Sequence, residues 1–158
     1  MNKLNIGSGF KRIDGFTNVD KINCVDSQGI NYTDVVCDIE KNSLPFEDNS
    51  IDEIACYETL EHLDNLIFAM NEMWRVLKPE GVLKGKVPGT FSGSVADPTH
   101  KRIFVVESFD YFTGVNKHHP DRPARPMDAD YGIKPWNKIS VDKGIRFVLS
   151  PRKHDQRV

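Results

Sequence analysis

Cysteine, long apolar runs and excess positive charge are all scarce in this sequence, and each scarcity narrows what the protein can be. There are three cysteines, Cys24, Cys37 and Cys56, an odd number without metal-ligand spacing. Cys37 and Cys56 lie inside apolar runs, where a free thiol behaves as a small hydrophobe, so a reducing, cytoplasmic setting is expected. No apolar run approaches the ~20 residues that a membrane helix needs. Met1-Asn2-Lys3-Leu4 leads straight into a strand-like run, so no signal peptide and no membrane attachment are expected. The formal net charge of -2 supplies no positive field to hold phosphates, which argues against a nucleic-acid partner. Only the end of the chain is basic (Lys143, Arg146, Arg152, Lys153, Arg157), and it reads as a solvated tail.

At 158 residues the chain has the size of a single domain able to bury a core. Leu4 to Ile6, Thr17 to Asp20, Asp34 to Ile39, Ile51 to Cys56 and Val82 to Val87 are short apolar runs closed by turn residues or acids, and they read as five strands. Leu63, Leu66, Ile67, Met70, Met73, Trp74 and Leu77 recur at three- and four-residue steps and predict one helix face. Lys78-Pro79-Glu80-Gly81 is expected to stop that helix. Strand, helix, strand is a βαβ unit, which implies α/β architecture around a mostly parallel sheet. Ile103 to Phe112 reads as a short helix, and 113–135, with four prolines, as a long loop. Lys138 to Val141 and Ile145 to Leu149 flank Asp142-Lys143-Gly144 as a closing antiparallel hairpin.

Chemistry concentrates at the strand ends, where open parallel sheets bind their ligands. Gly7 and Gly9 allow a sharp bend and close approach of a ligand to the backbone. Asp20 closes the second strand and suits a ribose diol. Asp38 closes the third and suits an exocyclic amino group, with Ile39 offering an apolar face to a base. A lone Gly-x-Gly is commonly just a turn; its order with two acid-ended strands is the informative feature.

These residues carry a resemblance. Leu4-Asn5-Ile6-Gly7-Ser8-Gly9 resembles the first motif of class I S-adenosylmethionine-dependent methyltransferases. Leu44 to Ile54, Leu60-Glu61-His62-Leu63 and Trp74 to Leu83 are similar to the stretches around their fourth strand and the following helix. The match covers about residues 3–90 and points to the small methyltransferase type 11-like branch. It implies a Rossmann-like sheet with flanking helices and S-adenosylmethionine as cofactor. It implies that Gly7, Ser8 and Gly9 line the methionine part, Asp20 the ribose, and Asp38 with Ile39 the adenine. Tyr57 and Glu58 would border the sulfonium, with Glu61 a weaker candidate; helix capping and packing explain Glu61 and His62 equally well.

The sequence departs from the family at three places. Asn5 stands where an acid is usual, and Lys11 where a third glycine is usual. Only the ten residues 7–16 separate the first two strands, no more than the bare minimum of ~10–12 for a complete crossover with its helix, so that helix is expected to be vestigial or absent. Without it a dinucleotide loses the anchor for its pyrophosphate, which counts against a nicotinamide dehydrogenase. The missing helix is also expected to leave apolar surface on one face of the sheet, covered by residues 90–135 or by a second copy in a homo-oligomer. The expected organisation is one domain over 1–158, with a cofactor core (1–90), a loop or lid (90–135) and a closing hairpin (136–150).

Methyl transfer needs a base only when the acceptor must lose a proton, and Tyr57 and His100 are the candidates, His100 having a surface role as its alternative. His118-His119-Pro120-Asp121 with His100 raises a metal site, but adjacent histidines lack helix-face spacing, and no metal is expected. Phe109, Tyr111, Phe112, Tyr131 and Trp136 form either an acceptor pocket or a satellite core, with core the better reading. The expected reaction is methylation of a small molecule or sugar. The alternative is a non-catalytic S-adenosylmethionine-binding or scaffolding protein, which Asn5 and the short crossover favour.

Overall fold

The computed structural model describes residues 1–89, 91–114 and 131–153, with Phe91 and Ser92 described by their backbone alone. The strands are β1 (Lys3–Ile6), β2 (Thr17–Asp20), β3 (Val35–Val36), β4 (Ile51–Tyr57), β5 (Leu77–Lys86), β6 (Trp136–Val141) and β7 (Arg146–Pro151). The helices are α1 (Leu66–Val76), α2 (Phe91–Ala96) and α3 (Asp110–Thr113). The strands form one sheet in the order β3-β2-β1-β4-β5-β7-β6. The pairs among β1 to β5 are all parallel, and β7 is antiparallel to both β5 and β6. The chain steps outward from β1 to β3 and then returns to β4 on the other side of β1, so the strand order reverses between β1 and β4.

Register sorts the side chains onto two faces, because paired residues point the same way while successive ones alternate. Leu4 pairs with Ile54 and Ile54 with Leu83, while Ile6, Cys56 and Gly85 form the next row. Leu149 and Phe147 extend these rows across β7. This face is apolar, and Ala69, Met70, Met73 and Val76 of α1 share its core cluster. Phe104, Phe109, Phe112, Ile133 and Trp136 continue the cluster, with the Phe109 and Phe147 ring centroids 4.7 Å apart. Gly85 makes this packing possible, since a Cβ there would stand 2.3 Å from Phe147 Cζ and 2.2 Å from the Cys56 carbonyl oxygen.

The other face carries Lys3, Asn5, Asn18, Glu53 and Lys84. Glu53 bridges Lys3 at 3.0 Å and Lys84 at 2.8 Å. The face beyond the missing helix is therefore mixed rather than apolar: its ion pairs and asparagines stand beside Ala55, Val82 and Val148, so the described residues show less uncovered apolar surface there than expected. No helix lies between β1 and β2, as the short spacing predicts. Asn5 Nδ2 instead donates to the Lys11 carbonyl at 2.8 Å and to Asn18 Oδ1 at 2.9 Å. Asn18 Nδ2 donates to Asp34 Oδ2 at 2.8 Å, and Arg12 donates to the same carboxylate at 2.8 Å. A chain of side-chain hydrogen bonds holds the crossover where helix packing would otherwise do so.

Several expected boundaries shift. The third strand is two residues long, not six: only Val35 and Val36 pair with β2. The helix begins at Leu66, capped by Asn65 Oδ1 accepting from Phe68 N–H, and Leu63 is extended after a 3₁₀ turn over Leu60–His62. Lys78-Pro79-Glu80-Gly81 does not separate helix from strand. β5 begins at Leu77, and this tetrapeptide fills the irregularity between the pairs Ile51–Leu77 and Glu53–Val82, where a proline is tolerated. The expected 103–112 helix is a 3₁₀ turn, Val106–Phe109, leading into α3. Among the crossovers between parallel strands only β4 to β5 uses a helix, so the expected flanking layer is reduced largely to α1. The hairpin is present with longer arms. Among the described residues no helix is long and apolar enough to cross a membrane.

Candidate functional site

A cleft of about 520 Å³ opens at the carboxyl ends of β1, β2 and β4, where the strand order reverses. Of the sequence candidates, Gly7, Asp20, Asp38, Ile39 and Glu58 line it. Gly7 turns the chain out of β1 with φ +68, and its N–H donates to the Val19 carbonyl at 2.9 Å. A Cβ on Gly7 would stand 2.3 Å from Thr59 Oγ1, so close contact and backbone conformation both require glycine. Asp20 Oδ2 accepts from Gly9 N–H at 2.8 Å and thereby ties the glycine bend to the end of β2. Ser8 and Gly9 belong to this bend but do not line the cleft, and Ser8 is buried.

Asp38 sits past β3, opening a turn in which its carbonyl accepts from Lys41 and Asn42 N–H. The hydrogen bond from Lys41 Nζ, 2.7 Å away, holds the Asp38 carboxyl below its usual range, so it faces the cleft ionised. Ile39 beside it is buried.

β4 ends in a strained step. Glu58 has φ +49, unusual for a residue with a side chain, and its N–H donates to the Lys86 carbonyl at 2.8 Å. Its carboxylate lies 2.8 Å from Lys86 Nζ. Tyr57, one residue earlier, is 47% exposed, pairs with Lys86 on the polar face and does not line the cleft. Glu61 is buried behind the cleft wall. Burial, with the Glu58 carboxylate adding to it, pushes the Glu61 carboxyl up to about 7. His100 also stands behind the wall, packed edge-on against His62.

Sequence reasoning missed Thr59, His62, Thr99 and Lys101, which line the cleft. His62 was visible in the Glu-His pair, but its direction depends on the 3₁₀ turn. Thr99 and Lys101 reach the cleft because Lys101 N–H donates to the Glu61 carbonyl at 2.8 Å, a contact between distant segments with no local signal. Asn5 faces away from the cleft. Its amide supplies two donor contacts that a carboxylate could not, which gives a structural reason for an amide at this position. His118, His119, Pro120 and Asp121 lie outside the described residues. Phe109, Phe112 and Trp136 are core residues, whereas Tyr111 and Tyr131 are exposed. All three cysteines are free and buried.

Residues 15–84 match a family model described as a methyltransferase domain. No curated protein matches the sequence. Among solved structures the chain is similar to the YcgJ protein of Bacillus subtilis, with a TM-score of 0.55 and 20% identity over 88% of this chain and 64% of that one. It is similar to a chain in the complex of the Trm112 methyltransferase activator with a methyltransferase of Haloferax volcanii, with a TM-score of 0.59, 16% identity and coverage of 99% and 84%. A further likeness is to an S-adenosylmethionine-dependent methyltransferase of Archaeoglobus fulgidus, with a TM-score of 0.54, 19% identity and coverage of 70% and 57%. The chain thus spans less than two thirds of the Bacillus protein, and these likenesses establish the fold.

Proposed function

We propose that this protein methylates a small-molecule or sugar acceptor using S-adenosylmethionine; the match of residues 15–84 to a methyltransferase-domain model and the likeness in fold support this reading. The observation that carries this reading is that Gly7, Asp20 and Asp38, from three separate strand ends, open into one cleft. Its volume of about 520 Å³ falls among small-molecule sites, which span ~300–1,000 Å³.

The residues fit the cofactor part by part. The Gly7 bend leaves backbone open beside the methionine part. Both Asp20 oxygens already accept backbone N–H groups, from Gly9 and Ile22, yet each keeps a lone pair for a ribose hydroxyl. Ionised Asp38 accepts from the adenine amino group, and Ile39 supplies the apolar contact. S-adenosylmethionine brings a methyl group already activated on a sulfonium, so the protein contributes mainly by positioning and by excluding water. Glu58, not Tyr57 or His100, is the cleft-lining carboxylate at that end of β4, and it is the group to take a proton where the acceptor must lose one. The buried free thiols support a reducing, cytoplasmic setting.

Calorimetry with S-adenosylmethionine tests the reading. We expect one binding site, weakened at least about tenfold by Asp20→Ala through loss of a charge-assisted hydrogen bond. No S-adenosylmethionine binding, with stabilisation by NAD instead, overturns it. Binding without methyl release to any of a panel of acceptors favours the scaffolding alternative.

A further inference from the structure

Glu61 and His62 leave β4 on the Leu60–His62 turn, and the segment 97–101 lies across that turn through the Lys101–Glu61 backbone contact. This brings His100 beside His62, with ring centroids 4.7 Å apart. One carboxylate oxygen of Glu61 and one ring nitrogen of each histidine lie within 4.8 Å of one another. Glu61 is 1% exposed, and neither of its oxygens has a hydrogen-bond partner among the described residues. A buried carboxylate is costly unless something neutralises it, either a proton or a cation.

The surroundings favour a cation. The Thr99 hydroxyl has one proton and donates it to Asp97 Oδ1 at 2.7 Å. Its 3.0 Å contact with His62 Nδ1 therefore needs the imidazole N–H as donor. His100 Nδ1, 2.9 Å from the Ser94 carbonyl oxygen, must also donate, because a carbonyl only accepts. When neutral, both rings thus keep a lone pair on Nε2; that of His100 lies 3.7 Å from Asp97 Oδ2, beyond hydrogen-bond reach. Metal-ligating histidines are commonly held this way, with the second nitrogen donating to a fixed acceptor.

We propose that Glu61, His62 and His100 bind one divalent transition ion of the zinc or iron(II) type at the wall of the cleft. Two imidazoles and a carboxylate suit that class, whereas magnesium and calcium prefer oxygen donors throughout. Metal–ligand bonds of ~2.1 Å set neighbouring donors ~3.4 Å apart in a tetrahedral site, so the three side chains close slightly around the ion. Three protein ligands leave coordination open for water or a substrate oxygen. His62 lines the cleft, so the ion stands where it can hold an oxygen atom of the acceptor; that last link rests on the methyltransferase reading, and the metal site does not.

Chelator-treated protein is titrated with Zn²⁺ and Co²⁺ by calorimetry, following cobalt by visible absorption and the unfolding midpoint by circular dichroism. We expect one equivalent to bind, cobalt d–d bands to appear and the midpoint to rise. Glu61→Gln, which keeps the volume, and His100→Ala each lower metal affinity at least tenfold. Thr99→Val, which keeps all three ligands but frees His62, lowers it ~10-fold. Absence of stoichiometric uptake, or undiminished uptake by folded Glu61→Gln protein, overturns the proposal. S-adenosylmethionine binding is measured separately on the metal-free protein. Cofactor binding without metal uptake overturns the metal site alone, and metal uptake without cofactor binding overturns the methyltransferase reading alone.

Discussion

On one face of the sheet Leu4, Ile54 and Leu83 stand in a row within the cluster that includes α1; one residue away along the same strands, Lys3, Glu53 and Lys84 form a run of ion pairs on the other. Parallel sheets usually need helices over both faces because both are apolar. Here the strands alternate instead, and one face mixes lysines, glutamate and asparagines with Ala55, Val82 and Val148. The contrast explains how the first crossover dispenses with a helix. Asn5, Asn18, Asp34 and Arg12 fix it through directed hydrogen bonds, a role apolar packing plays on the opposite face. A shortened crossover therefore signals exposed apolar surface only where the strands beneath it are apolar.

Perturbing the faces in turn should sharpen this contrast. Phe147→Ala, which empties the space above Gly85 on the apolar face, should cost about 3–5 kcal/mol in denaturant unfolding. A loss below 1 kcal/mol would mean that this face is not the principal core. Asn5→Asp is the corresponding test of the polar face. It removes both amide donations and adds a buried charge, and it should destabilise by about 1–3 kcal/mol. A more stable variant would contradict the structural role given to the amide.

Glu53→Gln should have the smallest effect, about 0–1 kcal/mol at pH 7, as for other ion pairs whose lysine partner reaches solvent. Its pH dependence carries a definite sign. The hydrogen bond from Lys84, with Lys3 assisting, holds the Glu53 carboxyl below its ordinary value of 4.5. The stabilisation is complete above that ordinary value and is lost as pH falls through the lowered folded value. Wild type and variant should therefore converge in stability toward acid and separate toward neutral pH, as read from denaturation midpoints. Equal separation at all pH values would show that the charge is not the cause.

Much of the fold could be read from local pattern. The runs at Leu4, Thr17, Ile51 and Val82 became strands, and the spacing from Leu66 to Val76 became the helix, because burial on one side leaves a periodic trace. The Lys78-Pro79-Glu80-Gly81 break was misplaced because the same residues that stop a helix also fill a strand irregularity. In the site, Gly7, Asp20 and Asp38 were recognisable at strand ends. Tyr57 was assigned to the cleft although alternation along β4 turns it to the polar face, and His100 was separated from His62 because no local rule joins the two segments.

The sequence by itself determined the strands, the principal helix, the helix-free first crossover and the glycine and acids at the strand ends, since each depends on neighbours a few residues away. Only the tertiary structure decided that ion pairs run across the second face and that Glu61, His62 and His100 meet. Those arrangements depend on strand register and on the docking of segment 97–101 against the turn after β4. Such long-range contacts are fixed by the packing of the whole chain and leave no periodic mark along it.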